Sequence, residues 1–493
     1  MRCRQPVGLG MVRAFFALGA LCLNLSCEAK AVPAPSVEPL LAGLRAPDAP
    51  ARAAAACALA ELGEPAPSAI AALEALLGDD RRVEGLPCGN HLEWGDGSEW
   101  IRITSPALEA ARALGELAPR SVPTLLGVLR AGSAVERGFA AYALGTSGDP
   151  RGGAPLTAAL SDAAPAVRRH AATALGRLED PAAGESLVRL LQDPDAGVRR
   201  AAIEALGELG YRPAEAAVAA RLTDADVEVR VAAAEALSEL GTAASMAALE
   251  KAAEDSNRNV RREVLDTLDE LGGAQALAMA ARSLEDSDGG VRLEAVELLG
   301  HHGSGREADL LAKSVTDPEW KVRVAVVEAL GELGDARGRS PLRTALRDPS
   351  WHVRAAAAEG LGQLEHNEDL DPLIEASRDV HPEVKKAAVE SLGNLGDPRA
   401  VAPISQVLED SDWRLRAVAA ESLGHLSSPA AVAALTAALR DDSWQVRLAA
   451  VESLCSLEDP KAAGPLQALV RDPRAEVRAA AAEAIADLKD EEE

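Results

Sequence analysis

Residues 348–364 read DPSWHVRAAAAEGLGQL, and near-copies stand at 317 (DPEWKVRVAVVEALGEL), 410 (DSDWRLRAVAAESLGHL) and 441 (DDSWQVRLAAVESLCSL). Outward from these copies the spacing is constant. From Arg137 a basic residue recurs every 31 positions: Arg168, Arg199, Arg230, Arg261, Arg292, Arg323, Arg354, Lys385, Arg416, Arg447 and Arg478. Six residues before each, from Asp162 to Asp472, stands an aspartate, as in Asp317, Asp348, Asp410 and Asp441. A fixed period of this length means stacked equal units, and it overrides any count of domains from length.

Within one period Val353, Ala357, Gly360, Leu361 and Leu364 share a helical face, since positions four, seven, eight and eleven apart align at 3.6 residues per turn. We call this helix B and expect Asp348 to cap its N-terminus. The "LGD" or "LGG" that follows places Gly210, Gly241, Gly272, Gly334 or Gly396 where a left-handed residue is wanted. A short helix A, as in GRSPLRTALRD with Leu342 and Leu346 four apart, completes the period. The expectation is an all-α fold, an α-solenoid of about 14 helix pairs over residues 32–493, because one pair cannot bury its apolar face and a stack of pairs can.

The composition agrees. Aromatic residues are only 2% of the 493, so the core must be thin helices packed on Ala, Val and Leu. The formal net charge of -26 repels phosphate backbones, which argues against a nucleic-acid partner.

Residues 1–31 read as a signal peptide. Arg2, Arg4 and Arg13 precede the apolar run AFFALGALCLNL, and Ala29 and Ala31 form an A-x-A cleavage site, so the mature chain begins at Val32. The run is too short to span a bilayer, and no transmembrane segment is expected in the mature chain. A second reading of LNLSCE is a lipoprotein signal ending at 26, with Cys27 as the lipid attachment site; Asn24, where that motif usually has Leu, departs from it. The protein is thus expected outside the cytoplasm, periplasmic or extracellular, with lipid anchoring to the envelope as the alternative. Export permits disulfides. A Cys57–Cys88 bridge is one pairing open to the chain, while Cys455 holds a slot that is Gly in most copies.

These units resemble the HEAT repeat family, specifically its short variety named after phycobilisome lyases, whose units read approximately D-x-x-x-x-V-R-x-x-A-x-x-A-L-G-x-L. The resemblance covers nearly all of residues 32–493. It implies a scaffold more often than an enzyme, and a bonded Asp–Arg ladder between repeats: Asp317, Arg323, Asp348, Arg354, Asp410, Arg416, Asp441, Arg447 and their counterparts. A related enzyme, deoxyhypusine hydroxylase, binds iron through His-Glu pairs; none of the eight histidines here is followed by Glu.

One stretch departs from the template. DDRRVEGLPCGNHLEWGDGSEWIR inserts about 24 residues, at about 80–103, between the helices of the second pair. It holds Cys88, His91, Trp94 and Trp100, and is expected to be a folded loop over the edge of the N-terminal repeats. Cys88 and His91 lack further ligands at zinc spacing. No phosphate loop, nucleophile elbow or metal motif occurs elsewhere, so neither cofactor nor metal is expected. DSDGGVRLEAVE, from Asp286, puts Val291 where a calcium loop needs Gly.

Two rows remain once core positions are removed. Trp320, Trp351, Trp413 and Trp444 stand three residues before the ladder Arg, and an acidic row includes Glu328, Glu359, Glu421 and Glu452. Trp351, Ala355, Ala358 and Gly362 are expected opposite the Val353 stripe, in a concave groove beside Glu359. The reading is a non-catalytic exported scaffold binding a protein or peptide, of basic character, on that face. The alternatives are an enzyme or bilin-lyase-like protein with a site near 80–103, and an architectural envelope component. Export predicts that protein isolated from its native cell begins at Val32 by N-terminal mass analysis; a lipid-bearing Cys27 at the terminus would replace soluble export with anchoring.

Overall fold

A computed structural model describes residues 37–62, 67–84, 91–94, 100–242 and 244–490. Among these residues 28 α-helices follow one another as 14 pairs, from Val37–Gly43 with Ala49–Leu62 to Ala463–Leu466 with Ala475–Asp490. The expected α-solenoid is present. The described residues up to Leu271 form one compact unit and those from Gly272 a second. No described helix is long and apolar enough to cross a membrane.

Helix B of the tenth pair, Trp351–Gln363, shows how the sequence builds a unit. Its alanines favour helix, and Val353, Ala357 and Leu361 are fully buried. Helix A, Arg339–Ala345, seats Leu342 and Ala345 beneath it, while Leu346 is only half-buried. The expectation of an open stripe at Ala355, Ala358 and Gly362 fails: all three are buried. The reason is that a B helix in a stack has another B helix on each flank, so only a narrow ridge, including Glu359 and Gln363, reaches solvent.

Small residues set that B–B contact. A Cβ on Gly362 would lie 2.6 Å from the Ser391 Cβ, and one on Gly145 2.6 Å from the Ala174 Cα, so neither position admits a side chain. The Ser391 hydroxyl donates to the Ala358 carbonyl at 2.8 Å, and in the N-terminal unit Thr267 does the same to Ala234 at 2.8 Å. Within each unit B helices approach one another far more closely than A helices do, which puts the B ridges on the inner, concave side.

The loops are joined by arginine. Arg354 donates through Nε and Nη2 to both carboxylate oxygens of Asp379 at 2.7 and 2.9 Å, and through Nη1 to the Asp348 backbone carbonyl at 2.8 Å. The carboxylate partner is therefore the aspartate of the following repeat, while the repeat's own aspartate offers only its carbonyl. The same arrangement recurs at Arg323 with Asp348, Arg416 with Asp441 and Arg447 with Asp472, and in the N-terminal unit at Arg168 with Asp193 and Arg199 with Asp224. Lys385 reaches Asp410 through Nζ at 2.7 Å, without the bidentate fork.

Asp348 is not the helix cap that was expected. The N-cap is Ser350, and Asp348 accepts the Ser350 amide at 2.8 Å in a turn two residues earlier. Four of the five glycines expected to be left-handed are so, with φ of 55° to 65°; Gly241 is extended at φ -70°, ψ 148°. Glu179, Glu365 and Glu458 take the left-handed position, at φ 50° to 52°, where the repeat lacks glycine.

The insert is a small antiparallel sheet rather than a loop. Strands β1 (Val83–Glu84), β2 (His91–Trp94) and β3 (Trp100–Thr104) pair in the order β1-β3-β2, with Val83 opposite Thr104 and Trp94 opposite Trp100. GDGSE separates HLEW from WIRIT, a run rich in β-branched and aromatic residues, a hairpin signal that the helical template hid.

Each rung ties two loops with little exposure, 14% for both Arg354 and Asp379. The Arg354 guanidinium holds the Asp379 carboxyl below the ordinary aspartate range. That contribution is complete above the unfolded pKa and is lost as pH falls through the folded one. Arg354→Met is expected to cost about 2–3 kcal/mol by leaving a carboxylate without its main partner. Arrays of this kind open locally, so amide exchange over 339–395 is the measurement. Restoration of protection in Arg354→Met with Asp379→Leu would confirm that the unpaired charge is the cause, and unchanged exchange in the single variant would contradict it.

Candidate functional site

Helix B presents two rows on its open side, separated along its axis. Trp351 is the first helical residue and Glu359 the ninth, so the rows run about 12 Å apart at roughly 1.5 Å per residue.

The tryptophan row lies at the N-terminal edge of the B helices and leans onto the following repeat. Trp320 stacks on His352 at 4.4 Å, His352 on Trp351 at 3.6 Å, and Trp351 on His381 at 3.9 Å with an 8° tilt, giving a four-ring column. Trp444 lies under the Arg474 guanidinium at 4.5 Å, and Trp413 under that of Arg414 at 5.2 Å. Trp351 and Trp444 are half-buried; Trp320 and Trp413 keep 41% and 37% of their surface exposed. Sequence periodicity placed all four on one line but could not show which rings neighbouring caps cover.

The acidic row runs along the ridge. Glu328, Glu359, Glu421 and Glu452 are all solvent-exposed. Protein nonetheless surrounds them, as expected inside a concavity. Desolvation, then Glu332, Glu359 and Glu297, push the Glu328 carboxyl above the usual glutamate range. Desolvation, then Glu452 and Glu390, do the same to Glu421, and desolvation alone to Glu452.

At the insert, Cys57 is disulfide-bonded and 5% exposed, and its Sγ accepts from Arg112 at 3.3 Å. Glu109, 2% exposed, accepts from Thr104 at 2.6 Å and from Arg112 at 3.1 Å. These bonds hold the end of β3 to helix Pro106–Glu116. His91, Trp94 and Trp100 fall on β2 and β3. Cys27 and Cys88 lie outside the described residues. Among the described residues no group of three His, Cys, Asp or Glu is placed to hold a metal ion.

One cluster escaped the sequence analysis. In the N-terminal unit the ridge carries Phe139 and Tyr142, with His170 from the next B helix 5.8 and 6.4 Å from their rings. Tyr142 occupies the slot that becomes acidic from Glu204 onward. The signal was available, since Phe139 is the single phenylalanine beyond residue 31. Burial, then Arg169, lowers the His170 pKa to about 4, so the ring is neutral at physiological pH and the trio is effectively apolar.

Carboxylates pushed upward favour the protonated fold. Their contribution is greatest below the unfolded pKa and is lost as pH rises through the folded one. Glu421→Gln with Glu452→Gln is therefore expected to raise the thermal midpoint at neutral pH in low salt, by less in acid below the ordinary glutamate pKa. A midpoint that falls at neutral pH would show these carboxylates to be structural partners.

Comparison with known proteins follows the same lines. The HEAT repeats pattern matches residues 153–222, 215–300, 307–381, 370–455 and 433–493, and the PBS lyase HEAT-like repeat pattern matches 51–79 and 136–162. No curated protein matches the chain. Among solved structures, Kap95p bound to RanGDP is similar at TM-score 0.62 and 14% identity, covering 92% of this chain and 72% of that one. Importin beta crystallised with ammonium sulfate gives TM-score 0.60 at 15% identity with the same coverage of 92% and 72%. Yeast importin-beta gives 0.55 at 14% identity, again over 92% and 72%. At such identities the likeness is one of fold. With repeat patterns matching well over half of its length, the chain belongs to the HEAT repeat family.

Proposed function

We propose that this protein is an exported, non-catalytic scaffold that binds a basic protein or peptide along the concave ridge of its B helices. The observation that carries the reading is the carboxylate row of the C-terminal unit. Glu328 and Glu421 repel their neighbours across the repeats and lose solvation, yet the slot is acidic in every copy from Glu204 to Glu483. An acidic slot that recurs ten times, and that opposes folding at Glu328, Glu421 and Glu452, has its counterpart in a ligand of opposite charge. Trp320 and Trp413 extend this surface toward the helix N-terminal edge as exposed apolar anchors, and Trp351 and Trp444 support them by packing on the next caps. Export rests on AFFALGALCLNL between arginines and AKA, and the Cys57 disulfide suits an oxidising compartment.

The test uses the chain beginning at Val32 and a fluorescent lysine-rich peptide. Replacing Glu328, Glu359, Glu421 and Glu452 with Gln is expected to weaken binding about tenfold or more and to flatten its dependence on salt. Trp413→Ala should weaken it further, with little change in amide exchange. Unchanged affinity and salt dependence in the four-Gln variant would overturn the reading.

A further inference from the structure

From the Phe139–Tyr142–His170 cluster we infer a second, apolar subsite on the B ridge of the N-terminal unit. It seats an aromatic or branched aliphatic side chain of a bound polypeptide segment. The inference rests on the peptide-binding reading above.

The core does not need these rings. Elsewhere the slot of Phe139 holds Ala201, Ala232 or Ala387, and the slot of Tyr142 holds Thr173 or Glu204, in repeats that pack equally well. Both rings are half-buried, so each keeps one part in the stack and one part at the surface. They stand one turn apart on one ridge, with His170 completing the floor.

The charges around the cluster are of mixed sign, with Arg169 beside His170. The Arg177 guanidinium lies over Tyr142 at 5.1 Å and draws on Glu208, and Arg200 pairs with Glu204 at 3.2 Å. The part-exposed Phe139 and Tyr142 rings offer an occupant apolar area, and aromatic side chains are prominent among residues that dominate binding. Exposed Glu235 lies three repeats along the same ridge, roughly 24–30 Å at 8–10 Å per repeat. An extended chain covers that span in about eight residues. The fitting ligand is a segment with an apolar anchor and a Lys or Arg about eight residues away.

The probe is a fluorescein-labelled peptide of about 16 residues with paired leucines at one end and paired lysines about eight residues on. A sister peptide carries serines for the leucines. The wild-type chain is expected to bind the leucine peptide about tenfold or more tightly than its sister. Phe139→Ala with Tyr142→Thr, residue types that the same slots hold in other repeats, should bind both peptides alike, at the wild-type affinity for the serine sister. A variant that keeps the preference, or a wild-type chain that shows none while binding both lysine peptides, overturns the subsite and leaves the acidic groove standing. Failure of the wild-type chain to bind either peptide overturns both.

Discussion

The arginine that bridges consecutive loops is the contact on which the rest of the array depends. Each guanidinium binds the carbonyl of its own loop and the carboxylate of the next, and that carboxylate also accepts an amide two residues on. One planar cation with donors on two edges thus fixes the turn before helix B and the offset between repeats. A period of 31 without insertion from residue 137 onward is what such a fork demands. A residue gained between Asp and Arg would misplace the fork on that rung.

That regularity has a consequence for chemistry. The clamp and the Gly-to-Ser or Gly-to-Ala seam between B helices leave each repeat only a narrow ridge in solvent. Any property of the ridge is then repeated along the stack, and the proposed extended ligand rests on that repetition. The acidic row of the C-terminal unit is the clearest product. Glu328, Glu421 and Glu452 crowd a concavity and oppose the fold, while Asp379, Asp410 and Asp441 of the clamp support it, so the two groups respond to pH in opposite directions.

Departures from the repeat are where individuality enters. The insert adds a β-sheet beside helix Ala49–Leu62, and helix Pro106–Glu116 has Ala107 where the clamp arginine belongs. Beyond it the ridge opens with Tyr142 and Thr173 before turning acidic. The N-terminal unit therefore carries most of the information that distinguishes this chain from a uniform array.

The sequence by itself determined the period, the alternation of A and B helices, the number of pairs and the identity of the clamp residues, because each is a local property repeated in register. It also placed the acidic row on one line, since residues 31 apart hold the same position in successive B helices. Tertiary structure decided what lies between repeats. Arg354 takes its carboxylate from Asp379 rather than Asp348, Ala358 and Gly362 are buried against the next B helix, and Trp351 lies between two histidines. None of these can be read from a single unit, because a helical wheel knows the faces of one helix and not the neighbours on its flanks. The hairpin in the insert and the Phe139–Tyr142–His170 cluster were written in the sequence, but their meaning depends on which slots the stack leaves open to solvent.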